Sequence, residues 1–134
     1  MNFCEEKTMT RSVIQTSDAP AAIGPYSQAV KLGSMVFCSG QIGLDPATGI
    51  LVSGGFEAQV EQAIKNLSEV AKAGGGSLDH AVKLTLFLTD LANFAVVNEA
   101  MKRSFKAPYP ARSTIGVASL PKGAEFEIEA ILVV

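Results

Sequence analysis

Glu125, Glu127 and Glu129 alternate with Phe126, Ile128 and Ala130 in the C-terminal stretch EFEIEAILVV. In a strand, such alternation sets the three carboxylates on one face and the apolar residues on the other. Neighbours on that face lie about 6.6–6.8 Å apart. Their repulsion is roughly 0.6 kcal/mol in water and about 2.5 kcal/mol at an effective dielectric of about 20. A wet face tolerates this. A cleft does not, unless a carboxylate there meets a cation or works as a base.

Arg112 follows Tyr109-Pro110-Ala111 and is one of three arginines beside eight lysines. Its planar fork suits bidentate recognition of a carboxylate, which the point charge of a lysine cannot imitate. Structural ion pairs outnumber sites, so chemistry alone favours pairing between Arg112 and a C-terminal glutamate. Tyr26 after Gly24-Pro25 and Ser39 before Gly40-Gln41 stand at loop and strand ends, where sites are often built. Both are also ordinary turn chemistry.

Other chemistries find less support. His80 is the only histidine, with no cysteine near it in sequence, which argues against a metal cage and against a Ser/His/Asp set. It reads as a residue at the entry to a strand. Gly54-Gly55 lacks the spacing and the trailing Lys-Ser/Thr of a phosphate loop. Two cysteines, Cys4 and Cys38, are too few for a disulfide framework. Cys38 in MVFC reads as a small buried hydrophobe, and a reducing compartment is expected. A net charge of −2 gives no general pull toward nucleic acid or anionic membrane. No apolar run reaches the roughly 18–20 residues of a membrane span, and MNFCEEKTMTRS lacks a signal-peptide core. A cytoplasmic protein is expected, with residues 1–12 as an N-terminal extension and residues 13–134 as one domain.

The elements that must position these residues follow from periodicity. The 134 residues, 48% hydrophobic and 18% charged, suffice for one domain with a real core, and so little charge hints at surface covered by another subunit. SVIQT and the two halves of YSQAVKLGSMVFCSG read as strands, with a turn at Leu32-Gly33-Ser34. FEAQVEQAIKNLSEVAKA carries Phe56, Val60, Ala63, Ile64, Leu67, Val70 and Ala71 at helical period, and Gly74-Gly75-Gly76 stops it. AVKLTLFL alternates Val82, Leu84, Leu86 and Leu88 with polar or bulky neighbours, as a strand with one buried face does. Asp90 can cap a second helix with Phe94, Val97, Met101 and Phe105 as its apolar stripe. ARSTIGVASL and EFEIEAILVV are two further strands joined through Leu120-Pro121-Lys122-Gly123. The order predicts one α+β domain, with two helices on one face of a mixed or mostly antiparallel sheet. The face carrying the glutamates must be wet or covered by another chain.

Five blocks in order, AIGPYSQAV (22–30), CSGQIGLDPATG (38–49), VKLTLFLTDLANFAVVNEA (82–100), YPARS (109–113) and LPKGAEFEIEAI (120–131), resemble the RidA (YjgF-type) reactive-intermediate deaminases. The resemblance spans roughly residues 13–134. It implies a chorismate-mutase-like α+β fold assembled as a homotrimer, with a central β-barrel, helices outside and three clefts between subunits. It further implies that Arg112 binds a substrate carboxylate and that Glu127 is the acid placed at the water. Tyr26, Ser39 and Asn98 match the family's GPY, SGQ and VNE positions. Thr114 stands where some members carry a cysteine, a position used largely through its backbone. The segment from Phe105 to Pro110 is a few residues shorter than in common members, which bears on substrate preference.

The implied activity is that of a 2-iminobutanoate/2-iminopropanoate deaminase, a cofactor-free hydrolase converting enamine and imine intermediates to 2-keto acids and ammonia. Other classes stay open. A trimer that binds 2-keto acids as a regulator without turnover would use the same Arg112, and a chaperone-like role is compatible with the sequence. Some members are described as endoribonucleases that inhibit translation, but the acidic balance, the single His80 and the scarcity of aromatics speak against RNA as a partner.

Overall fold

The computed structural model describes residues 10–134, so Cys4 and most of the expected extension lie outside it. Six strands form one sheet: β1 (Ser12–Ile14), β2 (Ala29–Leu32), β3 (Met35–Gln41), β4 (Ala81–Leu88), β5 (Ala111–Gly116) and β6 (Phe126–Val133). Two helices, α1 (Phe56–Ala73) and α2 (Phe94–Ser104), complete the fold. The strand order is β1-β2-β3-β6-β4-β5, which puts the C-terminal strand in the middle. Only β4 and β5 run parallel. They are joined by the α2 crossover that a parallel pair requires. The sheet is therefore mixed, with both helices against one face.

The apolar alternation seen in the sequence becomes this packed face. Val36, Leu84, Leu86, Leu88, Phe126, Ile128 and Leu132 are at most 2% exposed, as are Val60, Leu67 and Val70 of α1 and Val97 of α2. Burying one such side chain is worth about 1.5–3 kcal/mol, so this layer dominates the stability of the fold. Phe56 meets Phe126 edge-on at 6.2 Å between ring centroids. The other face has no such cover: Val13, Met35, Phe37, Ile115 and Val133 are between 38% and 67% exposed.

Both helix ends carry local signatures. Gly75, at φ 92°, follows α1 as the glycine run predicts. Asp90 acts one turn earlier than expected. Its carboxylate accepts from Ala92 N at 2.9 Å and starts a 3-10 turn, Leu91–Asn93, that runs into α2. His80 serves the same purpose before β4, its Nδ1 accepting from Ser77 N at 3.0 Å. This keeps His80 structural, as the sequence suggested. Among the described residues, no helix is long and apolar enough to cross a membrane.

Two expectations need correction, and one connection is clarified. Val82 is 47% exposed because an irregularity between Ala81 and Lys83 interrupts the β4–β6 register there. Strands β5 and β6 are consecutive but not paired, since β4 lies between them. Glu125 does not share the face of Glu127 and Glu129. It precedes β6 and is drawn toward α1, where Gln59 donates to Glu125 Oε2 at 3.3 Å and accepts from Glu125 N at 2.9 Å. Parity fails there because the pairing of β6 begins only at Phe126.

The excursion between β3 and α1 is anchored from below. Asn66 of α1 is fully buried, and its Nδ2 donates to Leu44 O at 2.9 Å and Ile42 O at 3.2 Å. Gly43 lies so close to α1 that a Cβ there would sit 2.7 Å from Gln59 O. Asn66→Leu keeps the volume but leaves those carbonyls without their donor. The expected loss is about 1–3 kcal/mol. Urea unfolding at fixed protein concentration checks it; an unchanged midpoint would mean that Asn66 does not anchor the excursion.

Candidate active site

Glu127 lies on the uncovered face of the sheet, paired across β4 with Phe87, while its neighbours Phe126 and Ile128 point into the core. Beside it, the β3–β6 register shifts between Cys38 and Gln41, at Ser39-Gly40. The reason for glycine there is steric. A Cβ on Gly40 would collide with the Glu127 carboxylate, with Cδ only 2.8 Å away. Gly40 is a residue that the sequence reading mentioned without a role. Its signal was present, a glycine inside a strand pattern marking a bulge or a close approach.

Ser39 and Tyr26 build the wall of the same space. Ser39 Oγ donates to Ser27 O at 2.6 Å and Ser39 N to Gln28 O at 2.9 Å, so the hydroxyl pins the Gly24–Ser27 turn. Gln28 fastens the far side of that loop, accepting from Thr16 N and donating to Pro20 O, both at 2.8 Å. Tyr26 remains 54% exposed on this support. A cavity of about 820 Å³ opens here, lined among others by Tyr26, Ser39, Gly40, Lys122, Glu127 and Glu129.

The carboxylates in it are unequal. Glu127 is half-buried and Glu129 exposed. Burial, and then the charge of Glu129, push the Glu127 carboxyl above the ordinary glutamate value of 4.5. Among the described residues, neither acid has a cation within ion-pair distance. Lys122 on the same wall, in a left-handed conformation (φ 58°), donates instead to Gly49 O at 3.3 Å.

Arg112 lies elsewhere. It pairs with Leu84 in the β4–β5 ladder, which puts it on the helix side of the sheet. Its guanidinium carbon lies 5.5 Å from the Phe94 ring centroid, and Nη2 donates to Asn98 Oδ1 at 2.8 Å. The expected ion pair with a C-terminal glutamate does not form, because Glu127 and Glu129 occupy the opposite face and Glu125 is held by Gln59. Among the described residues no carboxylate pairs with Arg112. A smaller cavity of about 250 Å³ adjoins it, walled by Leu84, Met101, Phe105, Tyr109 and Pro110. Thr114 follows two residues on, half-buried beside Leu86, and lines neither this cavity nor that of Glu127.

The structure thus gathers the candidates into two groups: Tyr26, Ser39 and Glu127, and Asn98, Arg112 and, on the same side, Thr114. It does not bring the groups together within one chain. Cys38 is no rival nucleophile, since burial pushes its thiol up to about 11.

Comparison with known proteins agrees with this fold. A family model described as endoribonuclease L-PSP matches residues 16–134. A human 2-iminobutanoate/2-iminopropanoate deaminase is 48% identical over 126 residues, covering 94% of this chain and 92% of that protein. A crystal structure of RidA from an Antarctic Psychrobacter superposes with a TM-score of 0.89 at 51% identity, over 92% of this chain and 99% of that one. E. coli TdcF, crystallised with bound serine, superposes with a TM-score of 0.84 at 43% identity, over 92% and 98% of the two chains. The chain belongs to the endoribonuclease L-PSP family, among its RidA (YjgF-type) reactive-intermediate deaminases.

Proposed function

We propose that the protein hydrolyses 2-imino acids such as 2-iminobutanoate and 2-iminopropanoate to 2-keto acids and ammonia, in a homotrimer whose sites each take Arg112 from one protomer and Glu127 from its neighbour. One observation carries the shared site: Arg112 and Glu127 are on opposite faces of one sheet. The carboxylate carbon and C2 of a 2-imino acid are adjacent atoms, so one chain cannot address both. Two unlike surface halves that complete each other form a heterologous contact, which closes into a ring when the rotation permits. The exposed apolar side chains around Phe37 and Val133 supply area for it. The threefold count rests on the family resemblance.

The chemistry is undemanding. Arg112 clamps the substrate carboxylate through its fork and fixes C2. Glu127 orients a water against C2 and takes its proton as the C–O bond forms. The nitrogen of the resulting carbinolamine takes that proton back from Glu127, the C–N bond breaks as the hydroxyl oxygen releases its own proton to solvent and becomes the keto oxygen, and ammonia leaves with the 2-keto acid. A carboxyl pushed upward by burial is a stronger base than an ordinary one, which suits this task. Binding of 2-keto acids without turnover uses the same Arg112. Ammonia release from freshly generated 2-iminobutanoate, with and without protein, decides between the two; no acceleration would reject the enzyme reading.

Assembly is checked by sedimentation equilibrium, with an expected mass about three times the 14.0 kDa chain. A clean monomer at micromolar concentration would sink the shared site.

Arg112→Lys should lose most activity with the assembly intact, because the charge survives and the fork does not. Glu127→Gln should slow hydrolysis by about 10²-fold while 2-keto acid binding survives. Co-refolding the two inactive variants in equal amounts should restore about a quarter of wild-type turnover, the share of mixed sites that receive both intact residues. A mixture as inactive as its components would mean that the residues do not meet across subunits.

The pH profile carries its own sign. Glu127 works ionised, so activity falls as pH drops through its raised value, above the ordinary 4.5. Glu129→Gln removes the smaller of two upward pushes and should move the acid limb to lower pH, with the part due to burial remaining. The same group acts oppositely on stability: its ionised form is disfavoured in the fold, so Glu127→Gln should be the more stable protein at neutral pH. That difference should vanish below the ordinary carboxylate range. A Glu129→Gln limb that stays in place would dissociate Glu129 from the base.

A further inference from the structure

We propose that Phe94 is a positioning residue for Arg112, and that its ring face fixes the plane in which the guanidinium receives the substrate carboxylate. The inference rests on the reading of Arg112 as the carboxylate clamp.

Phe94 has the helical spacing of a core residue, yet it is 42% exposed, whereas Val97 and Met101 of the same stripe are buried. What it touches explains the exposure. The Arg112 guanidinium carbon is 5.5 Å from the ring centroid, within the range where a cation is drawn to an aromatic face. Asn98, one helical turn on, accepts from Arg112 Nη2 at 2.8 Å. Positions i and i+4 stand on one helix face. Helix α2 therefore offers Arg112 a platform and an acceptor together.

A long arginine side chain on an exposed strand has many rotamers, and a bidentate carboxylate contact needs one of them. In this proposal the ring face bounds the guanidinium on one side, and the Asn98 bond fixes its rotation. Arginine has five N–H donors, so this one side-chain contact leaves donors for a carboxylate approaching in the plane. No carboxylate of the described residues competes for them.

The platform is itself held in register with β5. The Asp90 carboxylate caps the turn that delivers Phe94. Leu91 of that turn lies against Gly116 at the far end of β5, where a Cβ would come within 3.1 Å of Leu91 Cδ1. Val117 N, just beyond, donates to Leu88 O at 2.9 Å. The strand that begins beside Arg112 thus ends against the turn that begins α2.

The test compares Phe94→Leu, Phe94→Tyr and Arg112→Lys for binding of 2-ketobutanoate and for steady-state imine hydrolysis. Phe94→Leu should raise the Kd and the KM by about three- to tenfold with kcat nearly unchanged. Phe94→Tyr, which keeps a ring face, should stay within about twofold of wild type. In the Arg112→Lys background, Phe94→Leu should add little, because the two act through one contact. Wild-type binding by Phe94→Leu overturns the proposal, and so does equal impairment of the Leu and Tyr variants. A loss of binding that tracks a loss of thermal stability or of assembly mass also overturns it, since the ring would then be packing alone. If Arg112→Lys itself binds 2-ketobutanoate normally, the clamp reading fails first; if only Phe94→Leu does, the clamp stands and the platform falls.

Discussion

A mixed sheet has two faces, and this chain supplies helices for one. The first is filled by Leu84, Leu86, Leu88, Phe126, Ile128 and Leu132 against α1 and α2, and that layer fixes the register of the central strand β6. Once Phe126 and Ile128 are committed inward, Glu127 must point outward, since successive strand residues alternate. The core therefore sets the direction of the proposed base. A one-residue slip of β6 would bury the carboxylate under α1 and expose its apolar neighbours, so packing and chemistry enforce the same register.

Glu127 shows what such a position costs. Its half-burial disfavours the ionised form, and Glu129 on the same face adds to that. The fold accepts this where an ordinary surface would not need to. The carboxylate fits only because Gly40 has no side chain, and Gly40 stands where the β3–β6 ladder is irregular. A strand interruption, a glycine and a raised carboxyl therefore form one device. The stability lost here is regained in the apolar layer behind it, which is insensitive to pH.

Much of this was legible in the sequence, and the failures have physical causes. Helix α1 follows from its stripe and its glycine stop, because an 18-residue amphipathic pattern leaves little ambiguity. The alternation of β6 is equally plain, and it oriented Glu127 and Glu129 correctly. Glu125 was misread because parity holds only where strand pairing holds, and Gln59 captures it one residue before pairing starts. Phe94 was misread because periodicity says which face a residue is on, not whether that part of the face meets the core. Arg112 was first assigned an ion pair with the glutamates because alternation within one strand says nothing of faces in another. The β4–β5 register, a product of the crossover, decides it. Chain order alone also could not show that β4 separates β5 from β6.

Among the described residues, neither Arg112 nor Glu127 has an ion-pair partner, and the two are of opposite sign and face opposite ways. In the proposed assembly they approach one another across a subunit boundary, where a direct contact would make an ion pair and lower the carboxyl that must serve as base. Asn98 and Phe94 act against that collapse. They hold the guanidinium with a neutral acceptor and a ring face, so it is ordered without a counter-charge. In the proposed site, the gap between Arg112 and Glu127 is left to a small anion with an electrophilic carbon beside its carboxylate. Neutral support for the cation and apolar support for the anion are thus two halves of one requirement, that each charge be fixed in place yet left to the substrate.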